Sequence, residues 1–216
     1  MTSRVQLALD ASAGPASVAV FIDGALVQER RIDRNGSAEL LAPTVADVLR
    51  DAGCAPRDVT DIIVGAGPGS FTGLRVAAAL GKGLARGAGA PLHAVASLPL
   101  IAAACDDAAP GRYIAVLDAL RGEWFAQWVT KHADAHWTVD GAVERIPSAA
   151  VRERADADGA TIVGPPIDVA QQPDARAALR IGFVTVSRDT WEPDYGRLAE
   201  AQVQWEATHA RALPTA

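Results

Sequence analysis

Apolar and polar positions alternate or run together in short blocks along the first third of the chain. Arg4–Leu9 passes from alternation into an apolar run and predicts a strand. Ser17–Ile22 places β-branched Val18, Val20 and Ile22 on one face, which predicts a second strand. Asp23-Gly24 is a tight-turn signal, so Ala25–Ile32 is predicted to return antiparallel. Between Ser37 and Ala52, Leu40, Thr44 and Val48 share one stripe and Leu41, Val45 and Leu49 the next, which is helical spacing. Pro43 is expected in or near the first turn of that helix, and Gly53 at its end. Ile62–Gly65 reads as a short buried strand, Thr72–Ala88 as a helix, Pro91–Val95 as a strand and Ser97–Ala104 as a short helix.

That order, three meandering strands followed by alternating helices and strands, predicts an α/β fold with a mixed sheet and helices on its faces. It is also the order of the actin-like ATPase fold, an analogy rather than a derivation. Ala109-Pro110-Gly111 suggests a boundary, giving an N-terminal lobe over 1–109 and a smaller C-terminal lobe over 110–216. In the second lobe Tyr113–Asp118, Glu123–Thr130 and His136–Val139 are predicted strands. Asp156–Gly159 and Gly164-Pro165-Pro166 are predicted turns, and Ala175–Val186 and Leu198–His209 predicted helices.

Composition narrows the function classes. Half of the 216 residues are hydrophobic and 21% are charged, which excludes a disordered chain. Aromatic residues make up only 5%, so the core is built from small side chains at close approach. A net charge of −6 gives no general attraction to phosphate backbones and argues against this chain as a main RNA contact. Cys54 and Cys105 have no CxxC spacing and make no disulfide framework. No signal peptide or membrane span is read, so a cytoplasmic protein is the expectation.

The most specific local string is Gly65-Ala66-Gly67-Pro68-Gly69-Ser70-Phe71-Thr72-Gly73-Leu74-Arg75, between a predicted strand and helix. Such a loop can aim backbone N–H groups at an anion. It lacks the Lys-Ser or Lys-Thr of a P-loop and the third glycine of a dinucleotide fingerprint. The choice lies between a tight structural turn and an anion loop built from Asp10, Ser12, Gly67, Gly69, Ser70, Thr72, Gly73 and Arg75. On the helix that follows, Ala77, Gly81 and Ala85 form a small-residue stripe. It suits either packing on the chain's own sheet or close approach of a partner helix. The predicted partner face joins Leu41, Val45, Val48 and Leu49 to Leu74, Ala77, Ala78, Gly81 and Leu84. Asp10 and Asp118 each end a predicted strand, where an actin-like ATPase holds a metal–nucleotide; a turn-capping role is the alternative. His132 and His136 have H-x-x-x-H spacing but fall between predicted strands, which favours a solvated turn over a metal pair.

Three islands carry a family resemblance: Leu7-Ala8-Leu9-Asp10-Ala11-Ser12, the Gly65–Arg75 string, and Asp118-Ala119-Leu120-Arg121-Gly122-Glu123. They resemble the TsaB (YeaZ) family of tRNA threonylcarbamoyladenosine biosynthesis proteins. Pro193-Asp194-Tyr195-Gly196-Arg197-Leu198-Ala199-Glu200 resembles its C-terminal pattern. The resemblance implies two actin-like lobes, a mixed five-stranded sheet and a degenerate second lobe. It implies a non-catalytic scaffold that pairs with TsaD, the paralogue that performs threonylcarbamoyl transfer to the adenosine beside the anticodon in tRNAs reading ANN codons. TsaE is a further implied partner, tRNA is contacted only through the complex, and a homodimer is open when the chain is alone. No intrinsic cofactor or metal is implied, with ATP or ADP left open at the partner interface. Where the catalytic paralogue carries a metal-binding H-x-x-x-H, this chain has Ala94-Val95-Ala96-Ser97-Leu98. Leu120 stands where the family usually has arginine. The competing readings are a stand-alone actin-like ATPase or sugar-kinase relative, and a glycoprotease-like metallopeptidase.

Overall fold

The computed structural model describes residues 3–33, 37–168 and 170–196. The chain opens with β1 (Val5–Asp10), β2 (Ala16–Ile22) and β3 (Ala25–Ile32), joined as an antiparallel meander. Asp23 and Gly24 both have positive φ, +52° and +83°, the backbone that a two-residue hairpin turn needs. Then come α1 (Ser37–Asp51), β4 (Asp61–Gly65), α2 (Phe71–Ala88), β5 (Leu92–Val95) and α3 (Ser97–Ala103). The second half contributes β6 (Gly111–Asp118), β7 (Glu123–Lys131), β8 (Trp137–Pro147), α4 (Ser148–Asp158), β9 (Thr161–Val163) and β10 (Val184–Val186).

Two sheets result, in the orders β10-β5-β4-β1-β2-β3 and β8-β7-β6-β9. The first is mixed: β1 pairs antiparallel with β2 and parallel with β4. Its inner strands β1, β2 and β4, with β5, read as apolar runs because both faces are covered, whereas edge strands β3 and β10 are largely exposed. Leu7, Leu9, Val18, Val20, Ile62 and Val64 point to a core shared with α1 and α2. Ala8, Ala19, Phe21 and Ile63 point the other way, into a core shared with α3 and with Tyr113, Ala115, Leu117, Phe125 and Val129 of the second sheet. The far face of the second sheet packs Ile114, Val116, Trp124 and Trp128 on Val151 and Ala155 of α4.

Several expectations change. The first sheet has six strands among the described residues, because β10 adds antiparallel to β5. The 110–216 segment therefore returns to the first sheet. A 3-10 helix over Ala175–Arg180 packs on β1, β2 and β3, and β10 follows where a single helix over Ala175–Val186 was expected. Pro43 lies inside α1, not at its start; the carbonyl it cannot serve belongs to exposed Glu39, where water is the available partner. The sequence pattern shows only a turn at the end of α4. The helix buries just two apolar residues at i, i+4 spacing, too few to show a periodic face. Predicted helix Leu198–His209 lies outside the described residues, as do Arg197 to Glu200 of the C-terminal pattern.

Candidate functional site

Asp10 ends the central strand β1 and is 1% exposed. Its Oδ1 accepts from the Ser12 N–H at 2.9 Å and the Ser12 hydroxyl at 2.7 Å; its Oδ2 accepts from the Ser97 hydroxyl at 2.6 Å. Ser97 Oγ in turn accepts from the Gly67 N–H at 3.0 Å. Burial pushes the Asp10 carboxyl above its ordinary pKa, opposed by the Ser97 and Ser12 hydrogen bonds. The carboxylate thus fastens three segments together: the β1–β2 turn, the glycine-rich loop and the start of α3.

The glycines of the Gly65–Gly73 loop are required by close approach of the chain to itself. A Cβ on Gly65 would strike the Asp10 carboxylate. One on Gly69 would strike the Ser12 carbonyl, and one on Gly73 the Ala11 carbonyl. Gly67, at φ +91°, faces the Asp194 carbonyl. The Ala66, Gly67, Ser70 and Gly73 amides are engaged as well. Ser70 N–H donates to the Ser12 carbonyl at 2.6 Å, and Gly73 N–H to Ser70 Oγ at 3.3 Å, which caps α2. Asp10, Ser12, Gly67, Gly69, Ser70 and Gly73 are therefore brought together, as a strand-to-helix junction filled by the chain's own backbone. Thr72 and Arg75 lie outside this junction, exposed on α2; Arg75 stacks over the Phe71 ring at 5.4 Å.

Asp118 is exposed at the end of β6 and its Oδ1 accepts from the Leu120 N–H at 2.8 Å. That is the turn-capping arrangement. Leu120 and Arg121 both take positive φ there, with Gly122. His132 and His136 close the β7–β8 turn, with His132 N–H donating to the His136 carbonyl and the rings stacked 4.5 Å apart.

The predicted partner face is placed differently. Leu41, Val45, Val48, Leu49, Leu74, Ala77, Ala78 and Gly81 are all buried in the chain's own core. A Cβ on Gly81 would strike a methyl of Val64. Only Leu84 of that set is part-exposed. The strongest apolar stripe of a helix marks its core-facing side, and here that side is taken up by the chain's own sheet. The opposite side of α2 carries exposed Thr72, Ala79, Gly83 and Gly87 flanked by part-exposed Val76 and Leu80. Gly83 and Gly87 have open space where a Cβ would stand. A shallow depression of about 360 Å³ lies between Gly83, Leu84, Gly87 and Ala88 of α2 and Ala55, Pro56 and Arg57. Leu40 on α1 is 49% exposed.

Sequence reasoning missed one polar network. Buried Asp61 accepts from Arg4 Nε and Nη2, both at 2.9 Å, and from Thr60 Oγ1 at 2.9 Å. The Arg4 hydrogen bonds, against the opposing effect of burial, bring the Asp61 carboxyl down to about 2. An ionised carboxylate only accepts, so His93 Nε2 donates to it at 3.0 Å. In the neutral ring Nδ1 then accepts from the Thr185 hydroxyl at 3.1 Å, which ties β10 to β5. A lone His in a short strand gives no sequence signal for this; the partners are 32 and 92 residues away.

The family model described as TsaD, tRNA N6-adenosine threonylcarbamoyltransferase, matches residues 32–185. The chain is 33% identical over 118 residues to the tRNA threonylcarbamoyladenosine biosynthesis protein TsaB of Escherichia coli, covering 54% of this chain and 51% of that protein. It thus spans about half the length of that curated relative. An uncharacterized protein of Mycobacterium tuberculosis is 34% identical over 194 residues, covering 86% of this chain and 82% of its own length. The solved structure of YeaZ from Pseudomonas aeruginosa superposes with a TM-score of 0.76 at 28% identity, covering 89% of this chain and 99% of that one.

Proposed function

Since the chain belongs to the TsaB/YeaZ family, the non-catalytic paralogues of TsaD with an actin-like fold, we propose that it is the scaffold subunit of a tRNA threonylcarbamoyl transferase complex. In this reading it docks TsaD and leaves metal, adenylate and tRNA chemistry to that partner, with TsaE as a further component. The observation that carries it is the closed glycine-rich junction. The loop with the anion-binding look is filled by Ser12, Ala11 and Asp10 of the same chain, as suits a subunit that supports its partner's chemistry.

The docking face we infer is the outer side of α2, through Val76, Ala79, Leu80, Gly83, Leu84 and Gly87, together with exposed Leu40 of the neighbouring α1. Small residues there let a partner helix approach closely. The net charge of −6 supports indirect contact with tRNA. The test is reconstitution with TsaD, TsaE, threonylcarbamoyl-adenylate and tRNA. Transfer is expected to depend on this chain; equal transfer without it overturns the reading. Gly83→Trp is expected to abolish co-elution with TsaD while leaving the chain folded, because the added side chain points into open space.

A further inference from the structure

Ser187–Gly196 follows β10 and runs as a strap along α2 towards the second sheet. Arg188 Nη1 donates to the Ala85 carbonyl at 3.1 Å. Arg86 Nη2 donates to Asp189 Oδ1 at 2.6 Å, and Lys82 Nζ to Glu192 Oε1 at 2.8 Å. Trp191 packs against the core shared by the first sheet, α1 and α2, and Pro193 is buried. Asp194 N–H donates to the Ala66 carbonyl at 2.8 Å, and the Tyr195 ring sits 4.6 Å from Phe71. Gly196, at φ +66°, is crowded by Pro68 and by Phe125 of β7. The strap is thus anchored at both ends, by β10 before it and by the glycine-rich loop after it.

Charge is segregated between the two elements. α2 carries no acidic residue, and its cations Arg75, Lys82 and Arg86 stand at i, i+7 and i+11, one stripe of a 3.6-residue helix. The acids that meet this stripe, Asp189 and Glu192, come from the strap. On the same periodicity the basic stripe borders the exposed Thr72–Ala79–Gly83 stripe on one side. The Pro56–Arg57 turn borders α2 on the other. The Lys82 ammonium also draws the Glu192 carboxyl below its ordinary pKa, chiefly through their hydrogen bond.

We propose that Ser187–Gly196 is an electrostatically latched wall of the TsaD-docking face on α2, and that the Lys82–Glu192 and Arg86–Asp189 pairs hold it in the docking-competent position. This rests on the TsaD-docking reading above. Exposed ion pairs contribute little to global stability and are screened by salt, so they act on the strap's register and not on the fold. Breaking both pairs leaves a row of unpaired cations along the edge of the docking face. It also leaves the strap between Thr185 and Asp194 held by Trp191, Pro193 and the Arg188 hydrogen bond.

The test compares the full chain with the Asp189→Lys/Glu192→Lys variant, and with the swapped variant that adds Lys82→Glu and Arg86→Glu. Hydrogen exchange of residues 187–196 and affinity for TsaD are measured on each. The double reversal is expected to speed strap exchange and to weaken TsaD binding by about tenfold, the loss of two modest ion pairs, with exchange in β1 and α1 unchanged. The swapped variant is expected to recover both. Unchanged strap exchange overturns the latch; a loosened strap with equal or tighter TsaD binding overturns its place in docking. If the unmodified chain fails to bind TsaD, the scaffold reading falls and the exchange measurement alone decides the latch. If the reversal variant fails to fold, strap exchange of the unmodified chain at low and high salt decides it. Faster exchange at high salt is expected, and none overturns the proposal.

Discussion

Asp10 shows how one carboxylate at a strand end serves two readings that only its neighbours separate. Placed before a Ser-Gly turn it looks like a metal–nucleotide organiser. Its two oxygens take three hydrogen bonds from Ser12 and Ser97, and the missing Cβ of Gly65 lets the carboxylate sit directly over that residue. Asp61 is the opposite electrostatic case. Its pKa is held at about 2, chiefly by Arg4, below the unfolded value of 3.8. A depressed folded pKa contributes stability that is fully present above pH 4 and lost as pH falls towards 2. The contribution is on the order of 2 kcal/mol. Denaturant melts between pH 5 and pH 2 are expected to show Asp61→Asn losing less stability over that window than the unmodified chain. Equal slopes would count against a charge-dependent tie.

At the scale of elements, α2 has two faces that both use small residues for different reasons. Gly81 is small because β4 is pressed against it, with Val64 where a Cβ would go. Gly83, two residues on, faces open space. Gly83→Ala is therefore expected to raise stability by roughly 0.5–1 kcal/mol, the ordinary gain in a helix interior. Gly81→Ala is expected to lower it, because the crowded neighbour is a β-branched side chain in a packed core. Thermal melts of the two variants check this, and a stabilising Gly81→Ala would be inconsistent with the packing. The same contrast corrects the choice of residues for probing a partner. Ala77 and Gly81 report on the core, whereas Gly83 and Gly87 report on the surface.

Across the whole molecule, the largest core ignores the boundary near residue 110. It joins Ala8, Phe21 and Ile63 to Tyr113, Leu117, Phe125 and Trp137, with α3 and Ala175–Ala178 between. The chain then crosses back to add β10 to the first sheet. A shared core and a returning strand couple the two sheets, so unfolding is expected as one transition. Tryptophan fluorescence of a Trp191→Phe/Trp205→Phe variant, which then samples Trp124, Trp128 and Trp137 in the second sheet, is expected to coincide with far-ultraviolet circular dichroism. Two separated transitions would show that the sheets unfold independently.

By itself the sequence determined the order of the first eight elements, the Asp23-Gly24 hairpin and the family, because these depend on periodicity and local turn chemistry within a few residues. It also marked the Gly65–Gly73 loop as special. What fills that loop was decided by tertiary structure, since Ala11, Ser12 and Asp194 reach it from distant parts of the chain. The Asp61–His93–Thr185 tie and the strap along α2 were decided in the same way. Their partners lie some 30 to 110 residues apart, a separation no local pattern encodes. The residues expected at a partner face are buried for one physical reason. The most apolar side of a helix is the side its own sheet buries, and a docking face has to be found on what remains outside.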